Sequence, residues 1–174
     1  VLDDPAVVLR QPPPRPWRLS ARLLVVHDAR LLMMRAFDPA DPRAGEWWEM
    51  PGGGVEVGED TAAAAVRETA EETGYVVPLG CVGEECWRGE TTYTWLGRRH
   101  WAEMVLHVAR VAVPLQRRPR ACSPEESASF LEVAWLPIED VLAGQGRYFP
   151  VTLPLDLPRL LAGERIDAGF TAWS

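Results

Sequence analysis

Two short apolar runs open the folded part of the chain, ARLLVVH (21–27) and RLLMMRAF (30–37), separated by Asp28-Ala29. Short aliphatic runs split by two turn positions predict a β-hairpin or two adjacent strands. DPADPRAGE (38–46) is a loop by its Pro, Asp and Gly content, and EWWEMP (46–51) is a short strand running into a glycine loop, Gly52-Gly53-Gly54. A helix follows: Asp60 or Thr61 is its N-cap, Ala62 to Ala65 are strong helix formers, and Gly74 suits the left-handed position past its end. Tyr75 to Val77 and CVGEECW read as strand and bulge. TTYTWL (91–96) and HWAEMVLHVARVAV (100–113) then flank Gly97-Arg98-Arg99 as a second hairpin. PLQRRPRACSPEES (114–127) is a polar loop, and FLEVAWL (130–136) alternates as a strand should. Pro137 opens a short helix that ends at Gly144, and a last helix lies within Leu153 to Ala162.

This order predicts an α/β (α+β) sandwich, one mixed β-sheet flanked by helices. Residues 19–174 form its single domain. Residues 1–18, with five prolines, form an extended Pro-rich arm. An arm of this kind can cross to a second subunit, so a homodimer is one expectation.

Composition narrows the partners. Net charge is −7, which disfavours a nucleic acid duplex because such binding needs a basic face that releases counterions. All 18 basic residues are Arg, so no lysine nucleophile, Schiff base or Walker-type loop exists. Cys81, Cys86 and Cys122 lack metal-ligand spacing and read as reduced thiols of a cytoplasmic protein. No apolar run approaches the ~18 residues of a membrane span, and the first residues do not read as a secretion signal.

The chemistry concentrates in GGVEVGEDTAAAAVRETAEETGY (53–75). On a wheel of about 100° per residue, Glu68, Glu71 and Glu72 share one face, while Ala62, Val66, Ala70 and Thr73 share the face expected to press on the sheet. Three like charges near a helix C-terminus repel one another and oppose the macrodipole. A hard divalent cation, Mg²⁺ or Mn²⁺, would relieve them. The bland alternative is a solvated acidic face with Arg67 and Glu71 paired. The spacing favours the metal: Gly53, Glu59, Arg67-Glu68, Glu71-Glu72 and Gly74 together resemble the signature of the Nudix hydrolase family. Two positions depart from its pattern. Thr69 and Tyr75 stand where aliphatic residues are usual, and both concern packing. EWWEMPGGG and LEVAWLPIEDVL resemble, more weakly, the family's segments before and after the box.

That resemblance implies hydrolysis of the pyrophosphate linkage in a nucleoside diphosphate joined to another group. Glu68, Glu71 and Glu72 would hold Mg²⁺, with the Gly53 carbonyl as a further ligand. Glu59 and Arg67 would brace the helix glutamates. Glu68 is the first candidate for general base, and Glu125 or Glu126 is a distal base or ligand. The partner implied is a small anionic nucleotide-type substrate. Its contacts are expected from Arg35 (phosphate), Trp48 (base stacking) and Tyr93, which stands where dinucleoside polyphosphate hydrolases of the family carry a tyrosine. The rival reading is a non-catalytic nucleotide sensor on the same fold.

Overall fold

The computed structural model describes residues 18–112 and 115–172. The Pro-rich arm expected at the N-terminus lies, up to residue 17, outside the described residues, and Arg18 already begins a strand. Strands β1 (Arg18–His27) and β2 (Arg30–Phe37) form the expected hairpin. Asp28 and Ala29 both take positive φ, 44° and 57°, the left-handed pair that matches the twist of two adjoining strands.

β1 stays with β2 only at Val26↔Leu31 and His27↔Arg30. One edge of β1 runs parallel to β7 (Arg98–Arg110) from Arg18 to Val26. The opposite edge, once clear of β2, is taken by β4 (Gly52–Gly54), with Ser20↔Gly54 and Arg22↔Gly52 in register. β2 turns away to pair with β3 (Glu46–Glu49) and β9 (Phe130–Pro137). This parting of β1 from β2 makes room for a cleft between them. The glycine run expected as a loop is therefore a strand. Three residues without side chains offer no alternation from which to read one.

Among the described residues the sheet has nine strands, ordered β10-β3-β2-β1-β7-β6-β11, with β4 on β1 and β9 on β2. Strand alternation sends successive β1 residues to opposite faces. Ala21, Leu23 and Val25 pack with Val105 and Ala109 against Ala64 and Ala65 of helix α1 (Thr61–Thr73). Leu24 and its neighbours Met33 and Leu106 pack on the other face beneath Val141 of α3 (Ile138–Leu142) and Leu157 of α4 (Leu153–Leu161). Helices thus cover both faces, as the sandwich expectation requires.

Helix α1 starts where Asp60 caps the Ala62 and Ala63 amides and ends at Gly74, φ 77°, whose carbonyl accepts from Arg118 N. Its seated face differs from expectation. Ala64, Ala65, Thr69 and Thr73 are buried, whereas Ala62, Val66 and Ala70 are only half-buried. The seat therefore adjoins Glu68 and Glu72, which are themselves buried, rather than opposing them. Both threonine hydroxyls donate to the helix's own carbonyls, Ala65 O and Thr69 O, leaving their methyls for packing. Tyr75 packs edge-on against Trp135 with Arg117 over its ring, which accommodates the other departure from the box.

Residues 114–127, read as a loop, contain β8 (Gln116–Arg117), paired with β5 (Tyr75–Val76), and the start of α2 (Pro124–Ser129). A capping box built from Ser123 and Glu126 starts α2. β6 (Val82–Trp95) is one long strand with bulges near Glu85. Its turn to β7 is Leu96-Gly97 rather than Gly97 to Arg99. β10 (Tyr148–Phe149) and β11 (Ile166–Ala172) complete the edges. Among the described residues no helix is long and apolar enough to cross a membrane.

Candidate active site

Arg67 is the hub of the box. Its Nε and Nη2 donate to the two Glu59 oxygens at 2.9 and 3.0 Å, Nη2 also reaches the Gly54 carbonyl at 2.9 Å, and Nη1 reaches Glu68 Oε1 at 2.8 Å. A planar guanidinium is suited to such a fork. Glu59 returns the support, since its Oε2 also accepts the Glu56 amide. These bonds hold the Glu59 carboxyl below the usual range, chiefly through Arg67, and the Arg67 guanidinium is raised in turn, chiefly through Glu59. The loop 54–59 is thus tied to the helix by one side chain.

Glu68 lies directly against Gly53. A methyl placed on Gly53 would sit 2.5 Å from Glu68 Cδ and 2.6 Å from Oε2. Glu72 reaches the same strand one residue earlier, where its Oε2 accepts the Gly52 amide at 2.8 Å. Both are nearly covered, 8% and 3% exposed. Burial is the main cause that pushes the Glu68 carboxyl up, opposed by Arg67 and reinforced by Glu71 and Glu126. Burial likewise pushes Glu72 well up, opposed by Arg22 and the Gly52 N–H and reinforced by Glu49 and Glu68. Glu71 is half exposed and turned to Arg67 Nη1 at 3.4 Å.

Above Glu72 opens a cleft of about 780 Å³, its mouth included; Glu68 and Glu71 are not among its lining residues. Its floor is Gly52, Gly53 and Glu72. One wall is Arg18, Ser20 and Arg22 of β1, and another is Trp47 and Glu49 of β3. Aromatic rings of Tyr93, Trp95, Phe130 and Phe149 complete it, with Glu126 at the rim. The second hairpin is fixed over the cleft at two points. Buried Asp38 accepts the Leu96 amide, and Trp95 Nε1 donates to Ser129 Oγ at 3.2 Å.

The substrate contacts expected from sequence divide. Tyr93 lines the cleft, stacked on His100 at 5.1 Å. Trp47, not Trp48, faces it, because Trp47 shares a strand face with Glu49 and donates to its carboxylate at 2.8 Å. Trp48 sits on the opposite face, under Arg35. Arg35 itself pairs with Glu46 at 2.8 Å and Glu132 at 3.0 Å and is not on the cleft wall. Glu126 is at the rim, its carboxylate accepting the Ser123 amide, whereas Glu125 is exposed and outside the cleft.

Sequence reading missed Arg22, Glu49 and Phe149. Arg22 is largely buried, donates to the Met50 carbonyl at 2.5 Å, lies 3.7 Å from Glu49 and sits over the Phe149 ring. A signal was present: Arg18, Ser20 and Arg22 alternate with Leu19, Ala21 and Leu23, the mark of a strand with one polar face.

The donors suit a hard cation. The carboxylates and the nearby glycine carbonyls supply only oxygen, and the partial counter-charges are Arg22 beside Glu49 and Glu72 and Arg67 on Glu68. Among the described residues no three acidic, His or Cys side chains are gathered as a ready cage. Glu71 is held by Arg67, so its joining Glu68 and Glu72 requires that contact to yield.

A NUDIX domain family model matches residues 16–153. The chain belongs to the Nudix family. Among similar proteins, an RNA pyrophosphohydrolase of Brucella ovis is 39% identical over 74 residues, 40% of this chain and 42% of that relative. One of Sphingopyxis alaskensis is 38% identical over 60 residues, 34% of this chain and 35% of that relative. The matches thus span about two fifths of those relatives' lengths. Among solved structures, this Nudix chain resembles the MutT protein of Bacillus halodurans, with TM-score 0.59 and 21% identity over 88% of this chain and 90% of that one. It also resembles the C. elegans Ap4A hydrolase, with TM-score 0.53 and 20% identity over 84% and 99%. At these identities the structural likeness establishes the fold.

Proposed function

We propose that this Nudix chain hydrolyses the pyrophosphate linkage of a nucleoside diphosphate joined to a second moiety, with Mg²⁺ as cofactor and Mn²⁺ as a substitute. The observation that carries this reading is the seating of Glu68 on Gly53 and of Glu72 on Gly52, two glycines of the cleft lining, braced by Arg67 and Glu59. The names of the relatives, an RNA pyrophosphohydrolase and an Ap4A hydrolase, support the same bond and the same class of substrate.

Glu68, Glu72, Glu71 and the Gly53 carbonyl would hold the cation. Bound there, a divalent metal neutralises phosphate oxygens and acidifies a coordinated water. The chain's own groups do the rest. Arg67 and Glu59 hold the glycine strand and the helix in fixed register, so Glu68 and Glu72 are in place before substrate arrives, and only Glu71 has to leave its Arg67 contact. Glu68, raised by burial, is suited to take the proton of the attacking water. Glu126, at the rim and electrostatically coupled to Glu68, is the candidate for a distal role. The aromatic walls exclude water and offer faces on which a base stacks.

A panel of dinucleoside polyphosphates, nucleoside triphosphates and nucleotide sugars, assayed with Mg²⁺ and with chelator, tests the reading. Identification of products by mass reports the bond cut. Cleavage at a bond outside the phosphate chain would overturn it.

A further inference from the structure

Helix α2 buries no apolar side chain. Of its six residues, PEESAS, Ser129 is the buried one, and it carries a hydroxyl rather than a hydrocarbon. That hydroxyl is fully used. It donates to the Glu125 carbonyl at 3.0 Å and accepts the indole N–H of Trp95 at 3.2 Å. Trp95 comes from another wall of the cleft, at the tip of the β6–β7 hairpin, where its ring is tilted against His100 at 6.4 Å. The next residue, Leu96, takes φ 50°, and its amide lies 3.2 Å from both oxygens of buried Asp38. Asp38 also accepts the Ala40 amide at 2.9 Å. Consecutive residues of the tip are thus tied to two different elements, Leu96 to the loop after β2 and Trp95 to α2.

Another tie lies just before α2. The Ala121 amide donates to the Glu71 carbonyl at 2.7 Å, and the Ser123–Glu126 capping box follows. Glu126 therefore stands between a tie to the end of the glutamate helix and a tie to the hairpin. It is half-buried at the cleft rim. A helix this short is not stable by itself, so without buried hydrocarbon its place depends on such polar ties.

Resting on the proposed hydrolase activity, we infer that Trp95 and Ser129 are positioning residues that act through Glu126. The hydrogen bond between them fixes Glu126 relative to the cleft for its distal role in the reaction. The aromatic wall and the acid thereby form one unit: the ring against which a substrate packs also sets where the acid stands.

A double-mutant cycle tests this, with Mg²⁺ and the fastest substrate of the panel, in wild type, Ser129→Ala, Glu126→Gln and the double variant. Gln at 126 preserves the capping box. Loss of the hydrogen bond in Ser129→Ala is expected to lower kcat about 5- to 10-fold, with KM nearly unchanged because Asp38 still holds the hairpin. In the Glu126→Gln background the same substitution is expected to cost less than about twofold. A merely structural defect lowers kcat equally in both backgrounds, and that result overturns the inference. An unchanged kcat in Ser129→Ala or in Glu126→Gln overturns it too.

Hydrogen exchange followed by NMR is independent of turnover. The Trp95 indole N–H is identified by its loss in Trp95→Phe, and the Ser127 amide, which donates to the Ser123 carbonyl, reports on α2. Both are expected to be protected in wild type. Ser129→Ala and Trp95→Phe should each speed exchange at Ser127 about 5- to 10-fold and leave the Leu96 amide protected. Unmoved exchange at Ser127 overturns the inference. Faster exchange in a protein that turns over no substrate supports the tie and removes the hydrolase reading. Turnover with unmoved exchange does the reverse.

Discussion

A methyl on Gly53 would lie 2.5 Å from Cδ of Glu68, so the absence of a side chain on β4 is what allows that carboxylate its place against the glycine strand. Gly53→Ala is accordingly expected to push Glu68 aside while leaving the fold intact. A displacement of about 1 Å at such a group costs on the order of 100-fold in kcat. Steady-state kinetics beside a thermal melt checks it: the rate falls and the melting temperature holds.

Arg67 serves Glu59, Glu68 and the Gly54 carbonyl through three different nitrogens. A lysine ammonium is a point charge and cannot reproduce that fork. Arg67→Lys should therefore lose nearly as much kcat as Arg67→Gln, and Mg²⁺ affinity measured by calorimetry should fall in both. Recovery of wild-type rate by lysine would show that charge alone matters.

The Glu59 carboxyl is held low, chiefly by Arg67. Its ionisation therefore stabilises the fold above the ordinary carboxylate pKa, and that share is lost as pH falls through the depressed value. Melts from pH 7 down to pH 3 should fall more steeply for wild type than for Glu59→Gln.

Glu68 and Glu72 shift the other way, raised by burial. Without metal, each contributes stability below the ordinary carboxylate pKa and loses it as pH rises through the elevated value. A cation competes with those protons, so the Mg²⁺-induced rise in melting temperature should grow from pH 5 to pH 8. Chelator should abolish the rise. A shift independent of pH would place the metal elsewhere.

Ala65 is fully buried against the sheet, whereas Ala62 is half exposed. Ala65→Leu should cost about 1–3 kcal/mol by overpacking, and Ala62→Leu much less. Denaturant melts of the two variants decide between this seat and the Ala62 face expected from the helical wheel.

That contrast shows what was legible. The Asp28-Ala29 turn, the Asp60 cap and the Gly74 stop are local chemistry, and they stand where the sequence placed them. The seated face of α1 was not legible, because a wheel sorts residues by polarity. Here two buried glutamates share the covered side, kept there by the Gly52 amide and by Arg67. Trp48 was expected at the cleft, and the outcome is the reverse: the parting of β1 from β2 puts the Trp47 face of β3 on the cleft. Arg22 was missed for the same reason. Its role depends on Met50, Glu49 and Phe149, brought to it by pairings distant in sequence. The start of α2 is different: Ser123 and Glu126 spell a capping box that can be read directly.

Glu72→Gln gives the most direct test of the central claim, a metal-dependent hydrolase centred on the box glutamates. The amide oxygen keeps the Gly52 hydrogen bond, and loss of a buried charge should leave the melting temperature equal or higher. Turnover of the substrate panel with Mg²⁺ is then measured for wild type and variant, both folded. The account predicts metal-dependent pyrophosphate cleavage by wild type and a loss of at least about 100-fold in Glu72→Gln. Full activity in the variant, or no metal-dependent turnover by wild type on any substrate of the panel, would contradict it.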